Sequence, residues 1–159
     1  MRRRLRLDVF VAACMATATV TIGSPTEHRI RVLRQMRGSD HTITSIAFDY
    51  TSGTASRTVR DEETGAVLSE QRLPGRPQSS REEFKEAVET ISRDKNLSGL
   101  LSAGAITEGG FIVDGPPDHP SQHRYIQIRL LTPDRGKVLR VVVFDLTIGA
   151  VASASTWFE

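Results

Sequence analysis

Apolar and polar residues alternate through most of the chain, and that period of two predicts strands. Residues 42–48 are β-branched at most apolar positions, residues 55–60 turn Val59 inward, and residues 66–71 repeat the pattern. Residues 28–37 alternate arginines with Ile30 and Val32 and read as a first strand or a lead-in to one. Asp49 to Gly53 and Asp61 to Gly65 read as turns, because aspartate bonds nearby backbone amides and glycine tolerates positive φ. Leu73-Pro74-Gly75-Arg76-Pro77 then stops the ladder, since proline neither donates to a sheet nor enters a helix interior.

The period changes after Ser80. Ser80 and Glu83 form a capping box, and Glu82, Glu83 and Glu86 set negative charge at the positive end of the helix dipole. Phe84, Ala87, Val88 and Ile91 fall on one face of a helix over 80–94. Leu97, Leu100 and Leu101 suggest a further turn or short second helix, ended by Gly104. Beyond Gly109-Gly110, strands are expected at 111–113, 125–131, 138–144 and 150–158, with proline–glycine and aspartate–glycine turns between the last three. The order is three strands, a helix and four strands. The expected core is Val67, Phe84, Val88, Ile91, Ile126, Ile128, Val141 and Val143. Asp49-x-Thr51-x-Gly53 recurs as Asp145-x-Thr147-x-Gly149, which points to a repeated strand–turn–strand unit.

Charge divides the chain. Residues 1–37 hold eight arginines against Asp8 and Glu27, a net +6, whereas the remaining 13 basic and 17 acidic residues give −4. The basic start, the small-residue run with Ala16-Thr17-Ala18, and Val11-Ala12-Ala13-Cys14 resemble an export or lipoprotein signal. Residues 1–25 are therefore read as an export signal or a disordered extension. Residues 26–159 are read as a single domain, secreted or at the cell envelope, with a cytoplasmic setting as the alternative. The apolar run is too short and polar to span a bilayer. A mildly acidic body with nine aromatics in the whole chain argues against nucleic acid as a partner. One cysteine, Cys14, makes neither an internal disulfide nor a thiolate cluster.

Three segments carry a family resemblance. Gly65-Ala66-Val67-Leu68-Ser69, then Leu73-Pro74-Gly75-Arg76-Pro77, then Glu83-Phe84, Ala87 and Arg93-Asp94 resemble the junction of the small N-terminal domains of copper amine oxidases. Val143-Phe144-Asp145-Leu146-Thr147 with Gly149 and Val151 is similar to the closing hairpin of that module, so the likeness spans roughly residues 42–153. A lesser similarity runs to PepSY-type domains. Both imply an α+β, cystatin-like fold, a curved antiparallel β-sheet packed on one main α-helix. Neither Tyr50 nor Tyr125 stands in the oxidases' quinone-forming motif, and the catalytic domain is absent. The resemblance therefore implies an accessory domain and not an oxidase.

Little catalytic chemistry is visible. Asp114, Asp118, His119 and His123 are the one metal-like constellation, with His119, His123 and Asp114 as its best ligands. They sit in a proline-rich loop, where solvated turn residues are the simpler reading, so no metal and no cofactor is expected. No Gly-x-Ser-x-Gly elbow, Cys–His pair or phosphate loop is present. Asp61, Glu62 and Glu63 read as a solvated hairpin tip, and Asp49 and Asp145 as exposed turn residues. The expected function is a non-catalytic module that binds a protein or polypeptide segment through a sheet surface or edge. The alternative is a small-ligand-binding or enzymatic cone with an apolar pocket and a buried acid.

Overall fold

The computed structural model describes residues 29–156. The segment 1–25, Cys14 and the last two residues of the expected 150–158 strand lie outside the described residues. In chain order the elements are β1 (Ile30–Arg37), β2 (Thr42–Asp49), β3 (Thr54–Asp61), β4 (Val67–Leu73), α1 (Arg81–Ile91), α2 (Ser98–Ser102), β5 (Ile106–Val113), β6 (Tyr125–Leu131), β7 (Val138–Asp145) and β8 (Ala150–Ser155). All strand pairs are antiparallel neighbours in sequence, forming two four-stranded sheets, β1-β2-β3-β4 and β5-β6-β7-β8.

This arrangement overturns the expected cystatin-like α+β fold of one curved sheet on one main helix. About 47% of the described residues are strand and only 12% helix, and the strands make two sheets. Alternation identifies strands but not their partners. Here the strands on either side of the helices do not pair with one another, and Pro74, Pro77 and the helices carry the chain from one sheet to the other. Every edge strand is also bulged: β1 at Leu33, β4 at Leu68, β5 at Gly110 and β8 at Ala152. Bulges twist an edge away from pairing, so neither sheet extends into its neighbour. Gly109-Gly110, expected to precede a short strand at 111–113, lies inside the longer β5. Gly109 has φ 120°, and a Cβ there would stand 2.8 Å from the Gln127 carbonyl oxygen, so the bulge needs glycine.

The hairpin turns follow the sequence closely. Asp49 Oδ1 accepts from the Thr51 amide at 2.8 Å, and Asp145 Oδ1 accepts from the Thr147 amide at the same distance. Asp61 Oδ1 accepts from Thr64 at 2.7 Å. Each turn closes on a glycine at positive φ, Gly53, Gly65 or Gly149. Gly65 has open space around it, whereas a Cβ on Gly53 would lie 2.7 Å from the Gln122 carbonyl oxygen. Gly65→Ala is therefore expected to cost about 1 kcal/mol of conformational strain. Gly53→Ala is expected to cost more, and equal thermal melting of the two variants would contradict the close approach.

Both sheets and α1 contribute to one hydrophobic cluster. Phe48 and Ala55 come from the first sheet, Ala87 and Ile91 from α1, and Ile126, Ile128, Leu130, Val142 and Phe144 from the second sheet. The helix lies against β6 and β8. Of the expected core, Ile91, Ile126 and Ile128 sit at its centre, while Phe84 and Val88 are half-buried on its rim. Val67 is 50% exposed on edge strand β4. Val141 is buried as expected and Val143 half-buried, but both belong to the face of β7 opposite Val142 and Phe144, because side chains alternate along the strand. Phe84 packs on Gly110 at the rim, so Phe84→Ala is expected to cost about 2 kcal/mol rather than the larger loss of a fully buried ring. Ser80→Ala, which removes the cap from the Glu83 amide, is expected to cost about 1 kcal/mol in urea unfolding.

Candidate functional site

The first sheet joins the rest of the molecule at one end only. β4 is exposed along nearly all its length, and in β2 and β3 only Phe48 and Ala55 are fully buried. That buried end is fixed by a polar junction. Ser80 and Glu83 complete the expected capping box, with the Ser80 amide donating to Glu83 Oε2 at 2.7 Å. The same carboxylate, fully buried, accepts from Arg124 Nε at 2.7 Å and from Arg124 Nη2 at 3.1 Å. The Tyr50 hydroxyl also donates to it. Arg124 Nη2 donates to the Gln78 carbonyl at 3.2 Å, and the guanidinium lies 4.7 Å above the Phe48 ring. One buried arginine just ahead of β6 thus holds the 78–83 segment and a phenylalanine of the first sheet together.

Above this junction, Arg29 and Arg31 both bond to Glu86, at 2.9 and 2.6 Å, and approach the Tyr50 ring. Burial, and then the Glu83 carboxylate, push the Tyr50 phenol far above its ordinary value. Burial and Asp145 push Tyr125 upward as well. These are the only tyrosines in the chain. The folded protein is therefore expected to develop its phenolate absorbance well above pH 10. A raised folded-state pKa gives stability that is complete below the unfolded value near 10 and is lost as pH rises beyond it. Phenolate absorbance rising at pH 10 in the folded protein would contradict this.

Beside the junction lies an open groove of about 470 Å3. Leu33, Arg34 and Ile46 form one wall, and residues 77–81 form the other. The β1 bulge makes this wall: Val32 opposes Ala47 and Arg34 opposes Ile46, leaving Leu33 as the extra residue. Arg57 stands opposite Ile46 on the other side, so it shares that sheet face. The second wall is anchored from behind by the Arg124 bond to Gln78, the Glu83 bond to Ser80 and a Ser79 hydroxyl bond to the Gly110 carbonyl. The groove has a fixed frame, an aliphatic lining of Leu33, Ile46 and Pro77, and arginines at its rim.

The loop with the metal-like residues has a different organisation. Asp114 is paired with Arg76 at 3.1 Å, and Asp118 is exposed. His119 meets the Tyr125 ring edge-on and His123 stacks on it, each with centroids 6.2 Å apart. His123 Nδ1 is bonded to Asp145 Oδ2 at 2.7 Å. Asp114 thus faces Arg76 while His119 and His123 share the Tyr125 ring, and among the described residues no group of three or more such side chains is placed to hold a metal ion. Asp145 is 1% exposed, which corrects its reading as an exposed turn residue. Its second oxygen accepts from the Thr147 and Ile148 amides, so this carboxylate fastens both the loop and the β7–β8 turn. Among the described residues no hydroxyl or thiol bonds to the other nitrogen of His123.

Sequence reasoning found the Ser80–Glu83 box but missed its second role. A helix-capping glutamate gives no sign that it will be buried against an arginine 41 positions later. Arg124 stood out by nothing except its place just before the cleanest alternating strand. Compared with known proteins, the chain matches no family model and no curated protein.

Proposed function

We propose that the protein is a non-catalytic binding module that seats a polypeptide segment in the groove between β1–β2 and residues 77–81. The observation that carries this reading is the groove itself, whose size suits a few side chains and whose walls are pinned by buried bonds. A pre-formed site loses little ordering entropy when a flexible segment binds. The groove is favoured over strand addition at an edge, because all four edge strands carry bulges. The enzymatic alternative asked for a buried acid in a pocket. Glu83 and Asp145 are buried, but each is saturated by fixed partners, and neither lines the groove. An exported setting, drawn from residues 1–25, belongs to the same reading.

Selection from a displayed random-peptide library on the immobilised chain tests it. The expected result is a set of binders lost with Ile46→Ser or Arg81→Glu and retained with His119→Ala, all three variants melting as folded proteins. An empty selection, or binders indifferent to both groove variants, would overturn the proposal.

A further inference from the structure

The groove's charge identifies the chemistry of its occupant. Arg34 and Arg81 line it, and Arg57 flanks Ile46 on the same sheet face. All three are exposed. Four other arginines of this half are paired, Arg29 and Arg31 with Glu86, Arg37 with Glu62 and Arg76 with Asp114, while Arg60 and Arg72 stand at register positions of the opposite sheet face. Among the described residues, no carboxylate pairs with Arg34, Arg57 or Arg81, and no acidic residue lines the groove. Three unpaired guanidinium groups around an aliphatic floor are a local excess of positive charge on a body whose residues 38–159 carry net −4.

Resting on the proposed function above, we infer that the occupant is an acidic polypeptide segment with one aliphatic side chain. In this arrangement the aliphatic group packs on Leu33, Ile46 and Pro77. Flanking carboxylates reach Arg34 and Arg57 on one side and Arg81 on the other. Guanidinium forks suit carboxylates, binding them through two parallel hydrogen bonds. Phosphate chemistry is matched by arginine too, but single-stranded nucleic acid binding relies on aromatic platforms for its bases. No aromatic residue is among the described residues that line this groove, so a polypeptide is the better fit.

Fluorescence anisotropy with four labelled peptides tests the inference on the full chain. The peptides are Glu-Asp-Leu-Glu-Asp, its neutral analogue Gln-Asn-Leu-Gln-Asn, its basic analogue Lys-Lys-Leu-Lys-Lys, and Glu-Asp-Gly-Glu-Asp without the anchor. The acidic anchored peptide is expected to bind about tenfold more tightly than the neutral one at ~0.05 M salt. That advantage should shrink at ~0.3 M as screening shortens the reach of the charges. The anchorless peptide should bind more weakly, and Arg34→Gln, Arg57→Gln and Arg81→Gln should each reduce affinity several-fold without changing the melting temperature. Equal binding of neutral or basic peptides would overturn the charge inference and leave the groove function standing. No binding by any of the four, with an empty library selection, would overturn both. A ten-residue oligothymidylate that binds more tightly than the acidic peptide, and is lost with the same arginine variants, would overturn the choice of a polypeptide.

Discussion

Replacing Arg124 with methionine is expected to lower the stability of the folded protein by about 3–5 kcal/mol. The arginine and its partner Glu83 are both fully buried. Removing the cation leaves the carboxylate in an apolar interior with the Tyr50 hydroxyl and the Ser80 amide as its remaining partners. An uncompensated buried charge is costly, whereas a neutral replacement of the whole pair is far better tolerated. The double variant Glu83→Gln/Arg124→Met, which keeps an oxygen acceptor for Tyr50 and Ser80, is accordingly expected to recover much of the loss. Urea unfolding at pH 7 measures both. A cost below about 1 kcal/mol for Arg124→Met would place the pair in the class of solvent-exposed bridges and contradict the junction.

The second large effect is expected at Phe48. The ring is 1% exposed and meets Tyr50 edge-on, with centroids 5.1 Å apart, while the Arg124 guanidinium covers its face. It is the main apolar anchor of the first sheet, since β4 and most of β1 contribute little buried surface. Phe48→Ala is expected to cost about 3–5 kcal/mol through lost transfer energy and the cavity left behind. Phe48→Leu restores most of the volume but not the ring face beneath Arg124, and its expected cost is intermediate. Phe111→Ala, at a residue 53% exposed on β5, serves as a control with little expected change. Equal losses at Phe48 and Phe111 would mean that the first sheet is not anchored as described.

Local structure was the most legible part of the sequence. Helix α1 begins where its capping box says, three Asp–Gly turns close as their residues require, and the strands begin or end close to the expected positions. These features depend on contacts between residues two to five apart. The two-sheet architecture depends on which strands pair with which, and neither that nor the edge bulges at Leu33, Leu68, Gly110 and Ala152 is announced by an alternation pattern. The resemblance to accessory domains of copper amine oxidases leaned on Gly65 to Ser69 and Leu73 to Pro77, which are turn and connector residues, and such residues recur on unrelated folds. β5 shows the same limit from another side. A glycine pair usually interrupts a strand, yet here it lets one bend around Phe84 and continue.

The groove was legible only in pieces. Leu33, Arg34 and Ile46 meet there because of a one-residue register shift, and residues 77–81 form the opposite wall because Arg124 and Glu83 hold them in place. Both causes are long-range. The bulged edges shift the proposed binding region from the strand addition expected of a sheet edge to a side-chain groove.

All of this depends on Arg124 being a buried cation locked to Glu83. The Nε–H of Arg124 reports that directly in a proton–nitrogen NMR spectrum, through its rate of exchange with solvent. The structure predicts a side-chain signal protected far beyond the exposed arginines Arg34, Arg57 and Arg81, and protection lost in Glu83→Gln. An Arg124 Nε–H that exchanges as quickly as those three would contradict it.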